Sequence, residues 1–202
     1  TSVASMDDLN APAKVYYTLN RLKRSVSNHP ATLTQTKDKI EVKIGGESFA
    51  TYHFNRLAQP IVWPIQGPGD IRMLRDYPLK EGTAGEAKDH PHHRAMFIGH
   101  QGMNGANFWH NQHKNAGTVE HLKVIETRSG EDRALIQTLN AWKDSGGKII
   151  GADTRTLTFQ GDDDARILDL ELNMHATHED LIFEEFKDGF FGIRTHPDLR
   201  LT

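Results

Sequence analysis

The stretch Leu168-Asp169-Leu170-Glu171-Leu172-Asn173-Met174-His175 decides the fold class. Leu168, Leu170, Leu172 and Met174 face one way, and Asp169, Glu171, Asn173 and His175 face the other. A period of two is the signature of a strand with one buried face. Gly161-Asp162-Asp163-Asp164 supplies the turn before it. The same period recurs upstream. Lys39-Ile40-Glu41-Val42-Lys43-Ile44 alternates and ends on Gly45-Gly46, a turn pair. Strand-like runs over residues 119–127 and 133–142 flank Ser129-Gly130-Glu131-Asp132. Gly146-Gly147 leads into a run over residues 148–152, and residues 154–159 continue the pattern. Short strands punctuated in this way predict an all-β antiparallel sandwich, supersandwich-like, with no βαβ rhythm and no internal repeat.

Two regions depart from this rhythm. Over residues 1–31, Val15, Leu19, Leu22 and Val26 recur at helical spacing, and Asn10 and Pro12 suit a helix start. A short amphipathic helix or arm is expected there, with the sandwich domain over residues 32–202. Residues 60–91 are rich in proline and glycine, with a strand-like patch at 61–65. Trp63, Met73 and Tyr77 argue for an ordered loop, and loops of this length in compact domains tend to be functional.

Bulk composition narrows the function classes. The 202 residues are 37% hydrophobic and 25% charged, with a formal net charge of -3. That balance is globular and offers no broad grip on nucleic acid or an anionic membrane. The longest run free of Asp, Glu, Lys and Arg, residues 95–113, contains histidines and asparagines that hydrocarbon rejects, so no membrane-spanning helix is expected. Absence of cysteine removes disulfides, thiolate metal sites and a cysteine nucleophile. It fits an exported or a cytosolic protein, with a periplasmic or extracellular location marginally preferred.

Six of the twelve histidines lie between His90 and His113. The densest run is Asp89-His90-Pro91-His92-His93-Arg94. Imidazole changes charge near neutral pH and is the commonest metal ligand. A strand over residues 92–100 is expected, placing His92, Arg94 and His100 on one face, with His90 joining them if the extension reaches past Pro91. Three uses then compete. His90 and His92 bind a divalent metal, completed by His100, Glu185 or His178. Alternatively, His92 or His93 moves a proton, Asp89 orients an imidazole, and Arg94 or Arg75 steadies an anion. In the third, the histidines form a hydrogen-bonded polar wall.

The next segment, Gly102-Met103-Asn104-Gly105-Ala106-Asn107-Phe108-Trp109-His110, combines turn residues, amides and aromatic rings. Sugars are bound by that combination, so Asn104, Asn107 and Trp109 are candidate substrate contacts, with core packing the bland alternative for Trp109. Residues 183–194 suggest a hairpin around Asp188-Gly189, with Glu185 and Arg194 facing a cleft. His178-Glu179-Asp180 looks like an exposed turn. Phosphate-loop, nicotinamide, His-Glu-x-x-His and Gly-x-Ser-x-Gly motifs are absent. The His90-x-His92 pair is cupin-like but lacks the glutamate that should follow it.

Together, Trp63-Pro64-Ile65-Gln66-Gly67-Pro68-Gly69, Arg75-Asp76-Tyr77-Pro78, Asp89-His90-Pro91-His92-His93-Arg94, Gly99-His100, Asn104-Gly105 and Phe108-Trp109 resemble the bacterial PmoA-like family. Glu185-Phe186-Lys187-Asp188-Gly189-Phe190-Phe191-Gly192-Ile193-Arg194 resembles its second signature. The family label points to methane oxygenation, yet the methane-oxidising subunit of that name is an integral membrane protein. The resemblance instead implies a soluble β-sandwich from bacteria rich in carbohydrate metabolism. Family members are commonly longer, so it also implies a sandwich truncated at its C-terminal end, with site residues beyond Thr202.

The leading expectation is a carbohydrate-directed hydrolase, lyase or epimerase acting on a sugar or sugar acid. In it, His92 or His93 moves the proton, Arg75 and Arg94 bind an oxyanion, and Asn104, Asn107 and Trp109 hold the ring. Glu185 is the opposing acid or a metal ligand, and His100 and Arg194 add contacts. The alternatives are a metal-dependent oxygenase using His90, His92 and His100, and a non-catalytic glycan-binding module. The expected partner is a sugar or oligosaccharide; no cofactor is required by the pattern, and a divalent metal is the candidate.

Overall fold

The computed structural model describes residues 28–199, which excludes almost all of the expected N-terminal arm or helix. These residues form two antiparallel sheets that face one another. The first sheet contains β1 (Ala31–Gln35), β2 (Lys39–Ile44), β3 (Glu47–His53), β4 (Ile61–Ile65), β5 (Met96–His100) and β10 (Gly189–Ile193), side by side in that order. The second is a four-strand meander of β6 (Thr118–Arg128), β7 (Ala134–Lys143), β8 (Ile149–Gly161) and β9 (Arg166–His175). The all-β sandwich expected from the alternation is therefore the observed architecture.

The alternation explains the core directly. Ile40, Val42 and Ile44 of β2 are buried together with Phe49 and Tyr52 of β3. Facing them are Ile136 of β7 and Leu157 and Phe159 of β8, and Phe49 meets Phe159 edge-on at 5.7 Å. On β9, Leu168, Leu170, Leu172 and Met174 pack on this core as expected, though only partly buried on an edge strand. The successive runs read near residues 148–152 and 154–159 merge into one thirteen-residue strand, β8, which starts at Ile149 and ends at Gly161.

A polar network is buried between the sheets. Asp153 accepts from Asn140 Nδ2 at 2.8 Å and Trp142 Nε1 at 2.7 Å, and from Arg155 Nε and NH2 at 3.1 and 2.8 Å. Asp153 and Asn140 have no exposed surface, and Arg155 retains 3%. Both charges are thus paired and hydrogen-bonded, the condition under which the interior tolerates them.

Two expectations are corrected. The strand expected over residues 92–100 begins only at Met96. His90 and Ala95 have φ of 45° and 61°, and the amide of His93 donates to the carbonyl of His90 at 2.9 Å, so residues 90–93 turn instead of extending. The hairpin expected over residues 183–194 is also absent. Only β10 is a strand, and it pairs with β5, placing Gly189 opposite His100 and Ile193 opposite Met96. Residues ahead of it are tied instead to the loop after β5, where the amides of Asn104 and Glu184 donate to the carbonyls of Ile182 and Gly102.

Candidate functional site

The long segment between β4 and β5 is built around a single guanidinium. Arg75 has no exposed surface. Its Nε donates to the carbonyl of Tyr77 at 3.1 Å, NH1 to that of Ala87 at 2.9 Å, and NH2 to those of His90 and His93 at 3.2 and 3.4 Å. NH1 also donates to Asp89 Oδ1 at 2.6 Å. Glu86 accepts the amides of Asp76 and Tyr77 at 2.7 and 2.8 Å. One buried cation thus gathers carbonyls from across the loop, which is how a proline- and glycine-rich segment acquires a fixed shape without regular structure.

Asp89 links this scaffold to the histidines. It accepts from Arg194 NH2 at 2.6 and 2.7 Å as well as from Arg75. Its Oδ2 lies 2.8 Å from His90 Nδ1. A carboxylate can only accept, so Nδ1 of His90 carries the proton and Nε2 keeps its lone pair when the ring is neutral. The hydrogen bond from His90, with Arg194 and Arg75 behind it, holds the Asp89 carboxyl well below the usual carboxylate range.

The turn over residues 90–93 folds three imidazoles together. His90 stacks on His93 at 4.9 Å, and the His92 ring meets His93 edge-on at 4.4 Å. His92 also lies 4.5 Å from His110, which comes from the loop after β5. Burial, reinforced by the neighbouring His93, His110 and His90, pushes His92 down to about 4. Burial and then the His90 ring also lower His93. Both rings are thus biased toward the neutral form, by burial first and by the neighbouring imidazoles second.

The loop after β5 closes one side. Gly99 lets it approach, since a Cβ there would overlap the carbonyl oxygen of Phe108. The Phe108 amide donates to the carbonyl of His100 at 2.8 Å. Asn107 Oδ1 accepts the amides of Trp109 and His110 at 3.0 and 2.8 Å, setting the turn that presents His110. Between this loop and His92 lies a cleft of about 320 Å³, lined by His92, Gln101, Asn107, His110, Asn111, Gln112 and His113. Asp188 stands 3.8 Å from His110 Nε2.

Among the residues expected from sequence, Asp89, His90, His92, His93, Arg75 and Arg194 are brought together. Arg75, however, is spent on the loop and on Asp89, which corrects its expected role as an oxyanion ligand. Trp109 is core, tilted against Phe97 at 4.9 Å and edge-on to His93 at 5.7 Å. Asn104 points elsewhere, bridging the carbonyl of Asp180 and the amide of Ile182, each at 2.9 Å. His100 packs between Phe183 and Phe190 at 5.4 and 5.2 Å, with Nδ1 hydrogen-bonded to the Gly102 backbone. The expected trio of His90, His92 and His100 therefore does not converge. Among the described residues no group of three His, Asp or Glu side chains is arranged to hold a metal ion. Glu185 is exposed, and its neighbour Glu184 is the one that engages the loop, accepting the amide of Gly105 at 2.9 Å. His178 is exposed.

His110, Gln101 and Asp188 are the site residues that sequence reasoning passed over. The histidine density that marked residues 90–93 extends to His110 and could have included it. Asp188 looked only like a turn residue.

Residues 39–201 match the Family of unknown function (DUF6807), and the chain belongs to that family. Searches of curated proteins and of solved structures find no match to it. No helix among the described residues is long and apolar enough to cross a membrane.

Proposed function

We propose that this member of the family is a carbohydrate-directed enzyme in which His92 and His110 are the proton-transferring pair. The observation that carries the reading is the cleft itself. Its volume of about 320 Å³ suits one or two sugar rings, and amides and imidazoles line it throughout. Asn111 and Gln112, exposed on the rim, both donate and accept, which matches vicinal hydroxyls better than it matches an apolar or strongly charged ligand. Neutral His92 supplies a proton acceptor at the lip, and His110 beside Asp188 supplies the complementary donor. Asp89 and its two arginines fix His90, which packs at 5.6 Å from His92 and keeps that ring in place. The kinship with PmoA-like proteins suggested by the motifs is part of the same proposal, because the Asp89–Arg94 run supplies His92 to the cleft and Arg194 holds Asp89 behind it.

Screening a panel of oligosaccharides, sugar acids and keto-sugars tests the reading. His92→Gln and His110→Gln are expected to lower turnover by about 10²–10⁴-fold with the fold intact. Turnover unchanged in both variants removes the pair from the mechanism. Saturable sugar binding with no turnover on any substrate favours a glycan-binding module instead.

A further inference from the structure

Arg94 stands apart from every other buried cation described here. It is 6% exposed, immediately follows the imidazole turn, and precedes β5. Its Nε is sealed from solvent with no hydrogen-bond partner. No carboxylate, carbonyl or hydroxyl among the described residues takes a hydrogen bond from its side chain, and no aromatic ring lies beneath it. Burial alone acts on its ionisation, with no neighbouring charge in play. The contrast with Arg75 and Arg155 is sharp, because each of those is saturated by carbonyls or a carboxylate. Arg166 also has an unmet Nε, but its terminal nitrogens reach Asp162 and Glu47.

A guanidinium cannot shed its proton to escape this position. Only Nε is sealed, so the charge meets solvent through the terminal nitrogens and these keep their hydrogen-bonding capacity free of any protein acceptor. Trp63 Nε1, Gln59 Nε2 and Trp109 Nε1 are also buried donors without acceptors. They belong to the same seam: Val62 pairs with Met96 and Ile61 with Phe97, Gln59 reaches Gly99, and Trp109 packs on Phe97 and His93. Gln101 Oε1 is the sole unmet acceptor near β5 among the described residues. At Arg94 itself, a guanidinium fork beside the imidazole turn that no protein acceptor takes up has the recognition chemistry of an oxyanion.

We propose that Arg94 is the receptor of a small oxyanion, a carboxylate or a phosphoryl or sulfuryl group, bound beside the imidazole cluster. A planar fork of donors suits bidentate capture of such a group. The proposal stands apart from the sugar reading, since an oxyanion can occupy Arg94 whether or not the cleft performs chemistry.

The experiment is a thermal-unfolding titration at constant ionic strength with glucuronate, phosphate, sulfate and neutral glucose, on wild type, Arg94→Met and Arg94→Lys. At least one oxyanion is expected to raise the wild-type Tm by about 5 °C at a hundredfold excess over Kd, with glucose inert at the same concentration. A response to glucuronate alone identifies a carboxylate, and a response to phosphate or sulfate identifies a tetrahedral group. Arg94→Met is expected to weaken that affinity by about 10–100-fold, and Arg94→Lys by less. No saturable oxyanion response in wild type overturns the proposal, as does an equal response in Arg94→Met. Should Arg94→Met not fold, wild type and Arg94→Lys decide: a wild type that does not distinguish glucuronate, phosphate or sulfate from glucose overturns it. Oxyanion binding lost in Arg94→Met while no sugar is turned over upholds Arg94 and ends the enzymatic reading. Turnover dependent on His92 with no oxyanion response does the reverse.

Discussion

Arg155 and Arg94 are both buried arginines in the same sandwich, and they are opposites. Arg155 sits against Asp153, which also takes Asn140 and Trp142, so every charge on that side is answered from within the fold. Arg94 is answered by nothing among the described residues. The first arrangement locks β7 and β8 in register and has no chemistry to spare. The second keeps unspent binding capacity at the edge of a histidine cluster. Burial of a charge therefore does not mark a functional residue. A guanidinium fork left without a protein acceptor is the better marker, because it keeps hydrogen-bonding capacity for a ligand.

The comparison is broken most forcefully at Asp153. Asp153→Ala leaves Arg155 unpaired in the interior and is expected to destabilise by about 3–5 kcal/mol, read from urea unfolding. Adding Arg155→Met to it is expected to recover most of that loss, since an apolar pair replaces a stranded charge. Next comes Arg75→Met, expected to destabilise by about 3 kcal/mol, because four carbonyls and Asp89 lose their donor. Limited proteolysis should then cut the segment before β5 while the four-stranded sheet stays protected.

A smaller effect is expected from pH. The folded pKa of His92, about 4, lies below the ordinary histidine value, so the unfolded chain takes up its proton first as pH falls. Its contribution is unchanged above about pH 6.5 and declines between about 6.5 and 4. Partial solvent screening holds the loss to about 1 kcal/mol. Asp89 works in the same sense further down, since its depressed carboxyl stabilises the fold until pH drops through its folded value. The difference between wild type and His92→Gln in denaturant midpoint, measured from pH 7 to pH 4, isolates the histidine. Equal slopes in the two proteins would contradict the burial of that imidazole. The smallest effect sharpens the comparison most. Arg94→Met, without added oxyanion, is expected to leave stability unchanged or raise it by about 1 kcal/mol, where the matching change at Arg155 alone strands Asp153.

Much of the fold was legible because period-two patterning is written residue by residue. Ile40, Val42 and Ile44 announce their buried face, and Leu168 to Met174 theirs. The site was legible only as a location. Histidine density marked residues 90–93, but His90 and Ala95 adopt positive φ, which no non-glycine residue advertises, so the extended face that would have aligned His92 with His100 never forms. Arg75 looked like a ligand because its partners are backbone carbonyls, invisible in a string of side chains. Asp153 and Arg155 were passed over because a two-residue spacing on a strand is everywhere. Their meaning comes from Asn140 and Trp142 across the ladder.

The bare Cα of Gly99 sets the tolerance of the whole region to sequence drift. Since any side chain there meets the Phe108 carbonyl, the wall holding His110 cannot be remodelled from behind. In a saturation library, variety should accumulate at Asn111, Gln112 and His113, on the open rim, while position 99 stays fixed. Retuning this protein toward new ligands would therefore proceed from the rim inward and leave its backing strand alone.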